Sequence, residues 1–229
     1  NRMHFFAREI HNKDLRKPMN ASFVFILGLI ATSRVVAGSL SIDEKLSIQF
    51  ERSKTFLFEN LNEPGIANGS VIASPSKSEP NYFFHWVRDA AITMNAILDL
   101  YEKEPAGNWD NLRMLLDDYS SFSRRNQESI TIAGLGEPKF YLDGSPFLEP
   151  WGRPQNDGPA LRAIALIRYS NFLLRRGETE YVRRELYDGM MPTNSLIKRD
   201  LEYVAHTFME PSYDIWEEVL GTHFYTLMV

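Results

Sequence analysis

Near the C-terminal end, Tyr213-Asp214-Ile215-Trp216-Glu217-Glu218-Val219 places two adjacent carboxylates beside an indole. Carboxylates next to an aromatic ring are the materials of sugar-cleaving sites: an acid protonates the leaving oxygen, and a ring covers an apolar sugar face. Read as a helix, neighbouring side chains diverge by about 100°, so Glu217 and Glu218 could not oppose each other across one bond. A partner carboxylate would have to come from elsewhere in the fold. The plain structural alternative is an amphipathic helix start with acids in its first turn.

Two other clusters carry chemistry. Asn81-Tyr82-Phe83-Phe84-His85-Trp86-Val87-Arg88-Asp89 sets aromatic rings directly before an Arg-Asp pair. Rings stack on flat ligands, and Arg with Asp makes the charge-assisted hydrogen bonds that hydroxyl-rich ligands require. A buried aromatic entry to a core helix with a local ion pair would read the same way. In Trp151-Gly152-Arg153-Pro154-Gln155-Asn156-Asp157-Gly158-Pro159, prolines and glycines could fix an indole against a ligand; a structural turn capping the next helix is the alternative.

Other chemistries find less support. The five histidines, His4, His11, His85, His206 and His223, lack metal-ligand spacing, and there is no cysteine for a nucleophile, thiolate site or disulfide. Neither a metal nor any other cofactor is expected. No nucleophile elbow occurs, and Gly134-x-Gly136 has no preceding strand or further fingerprint. A formal charge of −5, with Arg124-Arg125, Arg175-Arg176 and Arg183-Arg184 as isolated pairs, argues against nucleic acid as a partner. Asn68-Gly69-Ser70 is a glycosylation acceptor pattern, relevant only in a eukaryotic secretory pathway.

The elements that must position these clusters are mainly helical. With 44% hydrophobic and 13% aromatic residues, the 229-residue chain has a globular composition with room for one or two domains. Apolar spacing predicts helices from Asp43 to about Asn60, capped by Ser41, and from about Ala90 to Glu104, burying Ala91, Met94, Ile97, Leu98 and Tyr101. Further helices are predicted at Trp109 to Phe122, from Pro159 to Arg176 with Gly177 after its last turn, and around Ile197 to Phe208. A last one would start near Ser212 and carry Trp216, Val219 and Leu227. Residues 62–80 and 133–159 read as long loops, the second too rich in Gly and Pro for any regular element and expected to be functional. Helices alternating with long loops suggest an α/α toroid or helical array.

Arg16-Lys17-Pro18-Met19, the apolar run Phe23 to Ala31 and the small residues Val35 to Ser39 have the layout of a secretory signal peptide, with cleavage expected after Ala37 or Ser39. The apolar run falls well short of the roughly 20 residues of a membrane span. The domain reading is therefore residues 1–39 as N-terminal extension and signal peptide, then residues 40–229 as one portion of a helical domain, secreted or periplasmic.

Five segments together resemble the glucoamylase family, glycoside hydrolase family fifteen. They are Val71-Ile72-Ala73-Ser74-Pro75-Ser76; Tyr82-Phe83 with Trp86 and Arg88-Asp89; Gly134 to Phe140; Trp151 to Gln155 with Asp157 to Arg162; and Asp214 to Glu218. They occur in the family's order and approximate spacing, over about residues 41 to 229. The resemblance implies about half of an (α/α)6 barrel and release of glucose from non-reducing ends of α-1,4-linked glucans with inversion. It implies Glu217 as general acid and Arg88 and Asp89 as holders of the glucose at the cleavage point. Tyr82 and Trp86 would line that subsite, with Trp151 near the scissile bond, Glu218 on the aglycone side and Asp214 tuning the acid. Trp151, Trp216 and the like charges of Asp214 and Glu218 would raise the acid's pKa.

Inversion also needs a second carboxylate about 6.5–9.5 Å away, and no Glu or Asp of this chain matches the family's general base. The expectation is an N-terminal portion with little or no turnover alone. Other readings are another specificity of the same family, such as trehalase or glucodextranase, and a non-catalytic glucan-binding relic.

Overall fold

The computed structural model describes residues 40–61, 63–103, 109–191 and 194–229; the predicted signal segment lies outside them. Contacts divide the chain into residues 1–48 and 49–229. In the first unit, the described residues form the start of helix α1 (Ile42–Glu59). Ser41 and Glu44 close a capping box there: Glu44 N–H donates to Ser41 Oγ at 3.2 Å, and Ser41 N–H to Glu44 Oε2 at 2.8 Å.

In the second unit, α2 (Val87–Lys103), α3 (Trp109–Glu128), α4 (Asp157–Arg175) and α6 (Leu196–Thr207) share one core. Their apolar residues recur every three or four positions, so each helix presents a continuous buried stripe. Met94, Ile97, Leu98 and Tyr101 meet Leu112, Leu116, Tyr119, Leu166, Tyr169, Leu173, Leu196 and Ile197. Burial of Ala91, Met94, Ile97, Leu98 and Tyr101 matches the spacing-based expectation. Across this core, Arg162 on α4 donates to both Asp200 oxygens on α6 at 2.7 and 2.6 Å, a buried bidentate pair.

Helix α4 stops as its sequence predicts. Gly177 takes φ +81°, with Gly177 N–H bonded to Leu174 C=O and Glu178 N–H to Leu173 C=O, the αL ending that favours glycine. Immediately after it come one short turn unread in the sequence, α5 (Thr179–Tyr181), and a π-helical stretch, Val182–Leu186. Too short for an apolar period, this segment is held by tertiary contacts: Arg113 pairs with Glu178 at 2.8 Å, and Tyr181 and Tyr169 both donate to Asp117.

Two further expectations are corrected. The loop 133–159 contains regular pieces, a 3-10 turn at Gly134–Gly136 and strand β2 (Lys139–Phe140), which pairs antiparallel with β1 (His85–Trp86). More consequentially, no helix starts at Ser212. The chain makes a hairpin of β3 (Ser212–Tyr213) and β4 (Leu220–Gly221), then a short helix α7 (Phe224–Met228). Asp214 decides this: its Oδ1 accepts the N–H groups of Glu218 at 2.8 Å and Val219 at 3.1 Å, so the side chain satisfies the donors of a turn.

Candidate functional site

The site gathers residues from four segments. Strand β1 ends at Trp86 and runs straight into α2, setting Arg88 and Asp89 in its first turn. Pairing of β1 with β2 puts Lys139 opposite Trp86. The loop 147–156 is pinned from inside by Arg153, which bonds Glu137 Oε1 at 2.9 Å and the carbonyls of Glu149 and Phe147 at 2.9 and 3.0 Å. Against that loop lies the β3–β4 hairpin, with Tyr213 N–H donating to Pro154 C=O at 2.8 Å.

Glu217 occupies the hairpin turn at φ +63°, a left-handed conformation uncommon outside glycine and one that often marks a functional constraint. Its Oε1 accepts two hydrogen bonds, from Trp86 Nε1 at 2.6 Å and Gln155 Nε2 at 2.8 Å. Gln155 turns its other end, Oε1, to Arg88 Nη1 at 3.0 Å, and the same guanidinium nitrogen reaches Asp157 Oδ2 at 2.8 Å. Glu217, Gln155, Arg88 and Asp157 thus form one polar chain, with Arg88 Nε also 3.7 Å from Asp89. Burial pushes the Asp89 carboxyl above its ordinary value, although Arg88 pulls the other way.

Aromatic rings wall this chain. Trp86 meets Tyr82 at 5.8 Å and Trp151 at 6.1 Å between ring centroids, both edge to face. Tyr82 and Trp151 are 42% and 37% exposed, leaving ring surface open to a ligand, whereas Trp86 is buried. Of the residues expected at the site, Tyr82, Trp86, Arg88, Asp89, Trp151 and Glu217 therefore converge. Glu218 and Asp214 stand in the turn of a hairpin rather than on the expected helix: the Glu218 side chain is exposed without a hydrogen bond or ion pair among the described residues. Asp214 serves the turn, where the N–H groups of Val219 and Glu218 lower its pKa. Trp216 is 77% exposed and cannot desolvate Glu217.

Sequence reasoning passed over Gln155 and Lys139. Both stand in the quoted motifs, but neither a neutral amide nor an isolated lysine signals a role until the fold brings it to a carboxylate or a ring cluster. Among the described residues, no three His, Asp or Glu side chains converge as metal ligands would, and no helix is long and apolar enough to cross a membrane.

The chain is 45% identical to a glucoamylase of Blastobotrys adeninivorans over 181 residues, 77% of this chain and 29% of that protein. It is 40% identical to glucoamylase 1 of Rhizopus oryzae, covering 84% of this chain and 31% of that one. It thus spans about a third of such relatives. Among solved structures, the family 15 glucoamylase from Hypocrea jecorina superposes with a TM-score of 0.72 at 35% identity, over 81% of this chain and 31% of that one. The glucoamylase from Saccharomycopsis fibuligera gives 0.70 at 35% identity, over 85% and 43%. The helices described above are accordingly part of an (α/α)6 barrel. Since the sequence profile of glycosyl hydrolases family 15 matches residues 52–229, a span that holds every side chain of the polar chain and its aromatic wall, the protein belongs to that family.

Proposed function

We propose that this chain forms the sugar-holding and acid-bearing half of a glucan-cleaving site, acting on non-reducing ends of α-1,4-linked glucans with inversion. The observation that carries this reading is the double hydrogen bond to Glu217 Oε1 from Trp86 and Gln155. With that oxygen saturated by two donors, a proton on the acid form belongs on Oε2, which is left to face the glycosidic oxygen. Glu217 would give that proton to the departing oxygen as the bond to the anomeric carbon breaks. Arg88 and Asp89 would bind hydroxyls of the sugar at the cleavage point, Tyr82, Trp86 and Trp151 would supply its apolar walls, and Glu218 would meet the aglycone side.

The water that attacks from the opposite face needs its own carboxylate base, about 6.5–9.5 Å from the acid in inverting enzymes. Because the chain spans about a third of its relatives, we assign that base to a segment outside the residues matched here. Layout of residues 16–39 supports secretion to the medium or periplasm.

The test is glucose release from maltose, soluble starch and trehalose, with glucan binding measured in parallel, for the chain together with the segment that supplies the base and for the same protein carrying Glu217→Gln. Hydrolysis abolished by the substitution with binding retained supports the acid role. Release from trehalose alone would replace the specificity, and binding without release in either protein would identify a non-catalytic glucan binder.

A further inference from the structure

Lys139 is 1% exposed, yet its ammonium has no hydrogen bond or ion pair among the described residues. Its Nζ lies 3.1 Å from the ring centroid of Trp151, 4.0 Å from Phe147, 4.5 Å from Phe84 and 4.6 Å from Trp86. Those rings close a circuit: Phe84 to Trp86 at 5.8 Å, Trp86 to Trp151 at 6.1 Å, Trp151 to Phe147 at 6.0 Å and Phe147 to Phe84 at 5.4 Å. Four aromatic faces around one cation is the arrangement that recognises ammonium ligands. Here the chain supplies the occupant itself.

The two indoles of the box differ in how they are held. Trp86 is buried and tethered through Nε1–H to Glu217. Trp151 is more open, stands on a loop, and has no hydrogen bond from its indole among the described residues; its ring contacts and the ammonium fix it. We propose that Lys139 is a positioning residue: its ammonium clamps Trp151 against Trp86, and it acts on a bound sugar only through those two rings. The effect on sugar rests on the function proposed above; the clamp itself does not.

Charge on Lys139 is then what the clamp requires. Burial lowers its pKa to about 8, opposed by the Glu217 carboxylate on the hairpin. Arg153 on the facing loop lowers it further, while Glu149 on that loop and Glu137 just before β2 raise it. His85, the other titratable group on β1, turns instead to Val71 N–H and the ring of Phe122. Mildly alkaline pH should therefore neutralise the amine and release Trp151.

The experiment is a tryptophan-fluorescence titration of the chain between about pH 7 and 9.5, where Asp, Glu and Arg side chains ordinarily do not titrate. A step near pH 8 is expected in the native sequence, lost in Lys139→Met, lost in Lys139→Arg because a guanidinium keeps its charge, and strongly reduced in Trp151→Phe. Maltose is the ligand probe: Lys139→Met should weaken its binding by about tenfold, the equivalent of one pKa unit, and Lys139→Arg should restore part of it. No step in the native chain, or the same step in Lys139→Met or Lys139→Arg, overturns the clamp. Should Lys139→Met fail to fold, the Lys139→Arg and Trp151→Phe titrations decide it. A native chain that shows the step but ignores maltose refutes the sugar site and leaves the clamp standing.

Discussion

Trp86 and Glu217 stand 131 positions apart in sequence, yet the indole Nε1–H donates to the carboxylate at 2.6 Å. Hydrogen bonds to ionised groups are the short, strong ones, contributing about 1.5–3 kcal/mol. This one locks the hairpin turn to the start of α2 and leaves no free donor on the Trp86 ring. Hydrogen exchange read on the indole signals tests it. Trp86 should exchange at least about tenfold more slowly than the exposed Trp216, as a bond of that strength requires. Glu217→Ala should remove most of the difference.

His85 gives the fold an acid-sensitive contribution. Its Nδ1 accepts Val71 N–H at 3.0 Å, and burial, helped by Arg162, lowers its pKa to about 3. An imidazole in the unfolded chain binds a proton below about pH 6.5, so between about pH 6.5 and 3 the unfolded state holds more protons and stability falls with pH. The slope approaches about 1.4 kcal/mol per pH unit. Urea unfolding of the native chain and of His85→Asn at neutral pH and near pH 4.5 should show a difference in pH dependence of roughly 2–3 kcal/mol. Equal pH dependence in the two proteins would refute a neutral buried His85.

What the sequence disclosed follows from which forces act locally. Helices α2, α3, α4 and α6 were legible because burial repeats along each with helical period, and the end of α4 and the start of α1 because Gly177 and Ser41 punctuate them by local chemistry of their own. Residues Ser212 to Gly221 were misread because Trp216 and Val219 mimic that period, whereas Asp214 rewards a turn through two N–H groups. Periodicity cannot weigh one side-chain acceptor against a helix. Motif order found Trp86, Arg88, Asp89, Trp151 and Glu217, but Gln155 and Lys139 acquire roles only from partners far away in sequence: Glu217 for the first, and rings of Phe84, Trp86, Phe147 and Trp151 for the second.

Arg162 and Asp200 test the buried polar side of the core. Both side chains are nearly inaccessible, 3% and 0% exposed, and two bonds of 2.7 and 2.6 Å join them. Arg162→Met would strand an uncompensated carboxylate, costing about 3–5 kcal/mol. The double variant Arg162→Met with Asp200→Leu should recover much of that loss, since apolar replacement of a buried pair is often neutral. Denaturant unfolding of the two variants checks both values; a single variant as stable as the native chain would show that the carboxylate is not stranded.

Gly152 separates placement of Glu217 from stability of the fold. A Cβ at this position would lie 2.8 Å from Tyr213 Cδ1 and 3.1 Å from the Glu217 carbonyl oxygen, so alanine must push the hairpin outward. Gly152, Tyr213 and Glu217 are not part of the core that α2, α3, α4 and α6 share, and overpacking of a partly exposed hairpin should cost no more than about 1–2 kcal/mol. Displacement of a catalytic or binding group by about 1 Å can cost about a hundredfold in rate. Gly152→Ala should therefore weaken maltose binding or glucose release far more than it lowers the unfolding midpoint. It should also speed indole exchange at Trp86, because the carboxylate that protects that proton moves with the turn. Unchanged exchange together with unchanged ligand binding would mean that the hairpin accommodates the methyl group in place, and that Gly152 does not govern the position of Glu217.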